Sequence, residues 1–104
     1  MDDKALETQI QDKGLTAPRI SLADIEVNIT DTEIVKHVSK SGQILRWAIL
    51  TTVSGFAVVG KPSVALSAEN DCADIGEALA IEYSTNELWP LMAYELKQRL
   101  FEDR

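Results

Sequence analysis

The chain has 104 residues, 45% of them hydrophobic and 26% charged, with a formal net charge of −7. That length is too short for two independent cores, and the composition is not that of a disordered tail. No run approaches the roughly 18–20 apolar residues of a membrane span, and an acidic exterior argues against a general DNA or RNA binder, because it repels phosphate backbones.

The charge is unevenly spread. Residues 1–31 hold seven acids and three bases (−4), and residues 69–104 hold nine acids and three bases (−6). The segment between them sets Glu33 against Lys36, Lys40, Arg46 and Lys61 (+3). A small anionic ligand would lose least to repulsion there, although the same bases also read as solvated strand positions. Cys72 is the only cysteine, so no intrachain disulfide is expected. With the acidic start Met1-Asp2-Asp3-Lys4, which does not resemble a secretory signal, this points to a reducing cytosol.

In chain order, Asp2 to Lys13 reads as a short helix, capped by Asp2 or Asp3 and stopped by Gly14. Its apolar content is thin, with Leu6 and Ile10 four apart. A second helix is better specified. Ser21 can cap it, Asp24 sits at the capping-box position, and Ile20 can staple against Ile25. Leu22, Ile25 and Ile29 give it one apolar side, and Thr30-Asp31-Thr32 reads as a turn.

Three strands of an antiparallel meander follow: Glu33 to Ser39, Ile44 to Val53 and Phe56 to Gly60. Lys40-Ser41-Gly42 turns the first hairpin, and Ser54-Gly55 the second as a tight two-residue turn. Alternation along the middle strand places Leu45, Trp47 and Ile49 on one face and Ile44, Arg46, Ala48 and Leu50 on the other. Both faces are largely apolar, as in a central strand or one buried at an interface. Pro62 ends the ladder or places its continuation at an edge.

The last third is helical. Asn70 or Asp71 can cap it, and Asp74 suits the positive end of the helix dipole. Ile75, Leu79 and Tyr83 trace one stripe; Trp89, Met92, Leu96 and Leu100 trace another. Ser84-Thr85-Asn86 offers a fresh cap and Pro90 falls just beyond it, so two C-terminal helices are expected, or one bent at Pro90. The fold class is therefore α+β: one domain over 1–104, helical over 1–31, an antiparallel sheet over 33–66, and helices over 70–102 packed on the sheet.

The inventory for catalysis is poor, and no enzyme activity is expected. His37 is the only histidine, and nothing in the sequence brings a nucleophile to it. One Cys and one His do not make a usual zinc site, the five glycines stand apart, and no cofactor is implied. The cluster Glu69 to Asp74 lacks the glycine and terminal glutamate of a calcium loop and is accounted for by capping. Cys72 at a helix start is either a reactive thiol or, more simply, a packed small side chain. Trp47, Trp89 and Phe56 read first as core.

Several pieces, taken in order, resemble the gene-49/gene-66 family of small accessory proteins of tailed phages. They are Lys13 to Ile20, Asp24-Ile25, Ser54 to Gly60, Ser63, Glu69-Asn70 and Asp74 to Gly76, then Leu88 to Leu91, Tyr94 to Leu96 and Arg99-Leu100. That family is in turn similar to Thoeris anti-defence proteins of the first type. The resemblance implies an oligomeric sponge in the host-cell cytoplasm that holds a cyclic ADP-ribose or cyclic-nucleotide immune signal without cleaving it. The positions it offers for ligand binding are Phe56, Lys61, Ser63, Asn70 and Arg99. Phe56 and Ser63 also read as turn and packing residues, Lys61 and Arg99 as solvated charges, and Asn70 as a helix cap.

The chain departs from the family pattern at Ser54, around Lys61 to Ala65, at Asp71 and Cys72, and at Glu87, where a carboxylate would repel phosphate. Two other readings stand beside the sponge. One is an acidic inhibitor that binds a host defence protein directly, for instance a CRISPR complex; the other is a phage structural accessory.

Overall fold

A computed structural model describes residues 3–14 and 17–103. The proposed cap at Asp2 and the Leu15-Thr16 part of the resemblance lie outside them. The order of elements is α1 (Asp3–Asp12), α2 (Leu22–Asn28), β1 (Ile29–Val38), β2 (Ile44–Thr52), β3 (Ala57–Val59), β4 (Ser63–Ala65), a 3-10 turn at Ala68–Asn70, and α3 (Ala73–Glu102).

α1 buries none of its residues, and Leu6 is half-exposed. The helix stops where Gly14 takes a left-handed φ of +67°, a conformation open to glycine at little cost. Arg19 ties it to the segment ahead of α2 through a two-pronged bond to both carboxylate oxygens of Glu7, each 2.8 Å long. α2 starts as its sequence requires. The Asp24 N–H donates to Ser21 Oγ at 3.3 Å, and the Ser21 N–H donates to Asp24 Oδ2 at 2.8 Å, completing a capping box. Ile25 is fully buried, with Ile20 packed against the same cluster.

The expected turn at Thr30-Asp31-Thr32 is instead the start of β1, so the helical segment ends at Asn28 and not at residue 31. Ile29, Thr30 and Thr32 are β-branched and favour extended backbone, and pairing to β2 decides the matter. Ile29 lies opposite Thr52 and Asp31 opposite Thr51, which leaves Thr30 as a bulge. Its Oγ1 donates to the Thr51 carbonyl at 3.1 Å.

Both hairpins are built alike. In the first, Ser39 N–H donates to Gln43 O (2.9 Å) and Gly42 N–H to Ser39 O (2.9 Å), with Gly42 at φ +93°. In the second, Thr52 N–H donates to Phe56 O (2.9 Å) and Gly55 N–H to Thr52 O (2.8 Å), with Gly55 at φ +89°. The second loop is therefore Val53-Ser54-Gly55, one residue longer than the two-residue turn expected, with its glycine at the left-handed position that closes such loops.

There are four strands, because the third expected strand is broken. β3 pairs with Ile49 to Thr51 of β2, and β4 pairs with Ile44 to Arg46 of the same strand. Gly60, Lys61 and Pro62 lie in the gap, where a proline has no ladder bond to lose. β2 is thus central, flanked by β1 on one side and by β3 and β4 on the other. Ile44, Arg46, Ala48, Leu50 and Thr52 are buried, and Leu45, Trp47, Ile49 and Thr51 are only partly so. The core joins Ala48, Leu50 and Val58 to Ile25 of α2 and to Ala80 and Leu88 of α3.

α3 is one continuous helix through Pro90, where two helices, or one bent at the proline, were expected. Proline removes the N–H that would bond the Asn86 carbonyl, but Asn86 and Pro90 are both exposed, so water can take its place. Ser84 does not restart the chain as a cap. Its hydroxyl donates to the Ala48 carbonyl at 2.6 Å and accepts from the Gly60 N–H at 2.9 Å. Leu88 behind Pro90, with Trp89 and Met92 around it, packs into the core, and that packing holds the helix together across the proline. The buried stripe is Ala80, Ser84 and Leu88, not the one expected through Ile75, Leu79 and Tyr83, of which Ile75 is exposed.

Thirty residues at about 1.5 Å each make α3 about 45 Å long, which sets the longest dimension of the molecule, 55 Å. The radius of gyration is 16.7 Å, against about 13 Å for a compact domain of 100 residues. Among the described residues, no helix is long and apolar enough to cross a membrane.

Candidate functional site

A concavity of about 970 Å³ is an open groove bounded by α2, the loop between β2 and β3, and the C-terminal half of α3. Local folding explains its walls. The capping box fixes the start of α2, and Ile20 and Val27 line the groove on that side. The loop is held by Thr52 Oγ1, which donates to the Phe56 carbonyl at 2.8 Å, and it leaves the Phe56 ring 61% exposed at the groove's edge. Asn28 bridges two walls: its Oδ1 accepts from the Val53 N–H at 3.3 Å, and its amide approaches Met92 Sδ at 3.4 Å. Leu88, Leu91, Met92 and Leu96 supply an apolar side.

Charge sits at the groove's margins, in both signs. Arg19 and Arg99 line it together with Asp24 and Glu95. Arg99 Nε donates to Glu95 Oε1 at 2.6 Å in an exposed pair one helical turn apart, an arrangement that adds little to stability and exchanges readily. The Glu7 partner holds Arg19, and its hydrogen bonds lower the Glu7 carboxyl below its ordinary range. An apolar trough with an exposed ring and guanidinium groups at its edge suits a flat, ring-bearing anion.

Of the five residues proposed from sequence, Phe56 and Arg99 come together here, 43 positions apart in the chain. Phe56 is therefore an exposed residue and not the core residue it first reads as. Lys61 goes elsewhere. Its Nζ lies 4.5 Å from the centre of the Tyr83 ring, a cation–π contact. Ser63 and Asn70 line a separate cleft of about 260 Å³ beside the start of α3. Ser63 is 5% exposed and its hydroxyl donates to the Gly76 carbonyl at 2.7 Å, which accounts for it structurally. Asn70 closes the 3-10 turn; the residue at the N-cap of α3 is Cys72, with no side-chain bond to the helix. Cys72 is exposed and not packed.

The four central bases do not form one open site: Lys36 lies opposite Arg46 across β1 and β2, but Lys61 sits on Tyr83. Arg46 is 4% exposed and grips Asp71 with both guanidinium nitrogens, at 2.5 and 2.8 Å. Those hydrogen bonds hold the Asp71 carboxyl below its ordinary value of 3.8, against the opposing effect of partial burial, and Lys36 lowers it further. Asp71, a departure from the family pattern, is thus the counter-ion of a buried arginine. Glu87, another departure, is exposed on α3 and does not line the groove. Trp47 lies on the sheet face away from Ala48 and Leu50, and Trp89 packs on the core.

Three residues with clear structural work were not singled out as such from sequence: Ser84, Gly60 and Gly76. A Cβ at Gly60 would collide with the Tyr83 carbonyl and Ser84 amide of α3, and one at Gly76 would press on the Arg46 guanidinium. The signal available was the spacing Gly76, Ala80, Ser84, three small residues one turn apart, which lets α3 lie close on the sheet.

Comparison with protein-family models matches residues 20–100 to the Phage protein (N4 Gp49/phage Sf6 gene 66) family. The match runs from the residue before the α2 cap to the last turns of α3 and takes in every groove-lining residue except Arg19. The Lys13–Arg19 part of the resemblance lies ahead of it. No curated protein and no solved structure matches the chain. Order, spacing and extent agree, and the chain belongs to the phage protein family of N4 Gp49 and phage Sf6 gene 66.

Proposed function

We propose that this phage protein is a binding protein that sequesters a small nucleotide-like anion in the groove between α2 and α3, as a counter to a nucleotide-signalled host defence, without turnover. The observation that carries the reading is the meeting of Phe56 and Arg99 on one apolar groove. The ring gives a base a surface on which to stack, the guanidinium gives a phosphate two donors, and the volume suits a ligand of mono- or dinucleotide size. The resemblance to Thoeris anti-defence proteins supplies the class of ligand: cyclic ADP-ribose isomers and cyclic nucleotides. Lys61, Ser63 and Asn70 leave the site on this reading.

Equilibrium dialysis of the protein and three variants against that panel tests it. Phe56→Ala removes the stacking surface, worth about 1–3 kcal/mol for a base on an aromatic ring, and Arg99→Glu replaces a donor with a repelling charge. Each should weaken binding at least about tenfold with the melting temperature unchanged, while Asn70→Ala should leave affinity alone. Equal affinity in all four proteins would remove the groove from the proposal.

A second reading has its own support. Arg19, Arg46 and Arg99 all face carboxylates within the chain, which leaves a net −7 surface able to steer onto a basic groove of a host defence protein. Failure to bind any member of the panel, together with salt-sensitive capture of a nucleic-acid-binding defence complex, would favour it.

A further inference from the structure

The two guanidinium groups at the groove's margin, Arg19 and Arg99, are held by carboxylates in different ways. Arg99 is met by Glu95 from the same helix, so that pair can open and close without moving an element. Arg19 is met from outside the groove. Its partner Glu7 is twelve positions earlier in the chain, on α1, and both carboxylate oxygens are engaged at 2.8 Å. The two side chains are 26% and 31% exposed, so the contact is open to competition from solvent ions. Asp24, the remaining carboxylate on the margin, is already engaged: its Oδ2 accepts from the Ser21 N–H at 2.8 Å and from Ser21 Oγ at 3.1 Å.

α1 rests lightly on the rest of the chain. It buries none of its residues, and of them only Glu7 and Ile10 are even partly covered. A ten-residue helix is marginal in water by itself, so the Glu7 contact matters to it. Arg19 stands at a junction, lining the groove on one side and, with Glu7, Gln11 and Ser21, a polar cleft of about 260 Å³ on the other. The Glu7 carboxylate takes the fork of donors that a phosphate would take. It also sets the charge that an incoming anion meets. Arg19 and Arg99 balance Asp24 and Glu95 on the margin, and Glu7 leaves one negative charge over.

We propose that Glu7 is a built-in competitor for the groove's anion: a phosphate that binds Arg19 displaces the Glu7 carboxylate, and α1 loosens as it does so. This control rests on the groove being the anion site proposed for the chain, and it sets how readily that site fills. Linkage makes the coupling reciprocal. Whatever the Glu7 contact adds to the hold on α1 is subtracted from anion affinity, and an anion that takes Arg19 weakens the hold by the same factor. α1 lies ahead of residues 20–100, which match the family, so the competing carboxylate sits outside the matched part of the chain.

Hydrogen exchange of the α1 amides and calorimetric titration with inorganic pyrophosphate, on the wild-type chain and two variants, test this. With no anion added, Glu7→Gln should speed α1 exchange at least about threefold. The same variant should bind pyrophosphate at least about threefold more tightly than the wild type. In the wild type, pyrophosphate should speed α1 exchange beyond what sodium chloride of equal ionic strength does. A chain carrying Glu7→Arg and Arg19→Glu re-forms the pair with its charges exchanged. It should keep α1 protected and yet bind pyrophosphate more weakly than the wild type. Unchanged α1 exchange in Glu7→Gln would overturn the proposal. So would an α1 that loosens with no gain in pyrophosphate affinity, or the absence of pyrophosphate binding in both proteins. Failure of the nucleotide reading looks different: pyrophosphate still exchanges with Glu7, while no cyclic nucleotide or cyclic ADP-ribose isomer binds.

Discussion

Ser84 shows how one small side chain can hold three elements. Its hydroxyl is fully buried between the carbonyl of Ala48 on β2 and the amide of Gly60 after β3. Removing it strands two buried main-chain groups, so Ser84→Ala should cost about 1–3 kcal/mol. Gly60→Ala, which drives a methyl into the backbone of α3, should cost at least about as much. Urea unfolding would read both, as a lower midpoint with an unchanged slope. The Arg46–Asp71 pair gives a prediction in pH. Because the folded state lowers the Asp71 carboxyl below 3.8, its contribution is complete above that value and is lost as pH falls through the folded value. A chain carrying Arg46→Met and Asp71→Leu should therefore show a flatter loss of melting temperature below pH 4 than the wild type. Neither role was legible in the sequence. Arg46 alternates with apolar residues like any strand cation, and Asp71 sits where a helix cap is expected. Only the register of β2 against β4 places Arg46 beside Ser63 and the start of α3.

At the scale of elements, the local signals were the readable ones. The Ser21–Asp24 capping box, the Lys40-Ser41-Gly42 turn and the alternation of β2 each depend on residues a few positions apart, and each stands in the structure as its sequence indicates; the turn at Ser54-Gly55 is there too, one residue longer than expected. What failed depended on distant packing. β1 begins four residues earlier than its pattern suggests because Thr51 and Thr52 offer partners. α3 runs through Pro90 because Leu88, Trp89 and Met92 are held by a core assembled from α2 and the sheet. The proline still removes a main-chain bond, on an exposed face of the helix. Pro90→Ala should restore the bond and raise the unfolding free energy by about 1–3 kcal/mol. No change would mean that α3 already relieves the cost through its surroundings.

The whole molecule is a two-layer α+β fold that is longer than its residue count requires, with an apolar groove at one end and an uncovered sheet edge. Composition excluded what it could exclude, and the family was legible because its spaced pieces span α2 to α3. The groove was half legible: Phe56 and Arg99 were named, but Arg19, Ile20 and Val27 enter it only through the position of α2. The central claim is that this groove captures a nucleotide signal intact. Native mass spectrometry of the purified chain, mixed with cyclic ADP-ribose isomers and cyclic nucleotides, tests it most directly. The account predicts a protein ion that gains the mass of one panel member and returns that molecule unaltered on denaturation. A chain that gains no mass from any of them, or that releases a cleaved product, would contradict it.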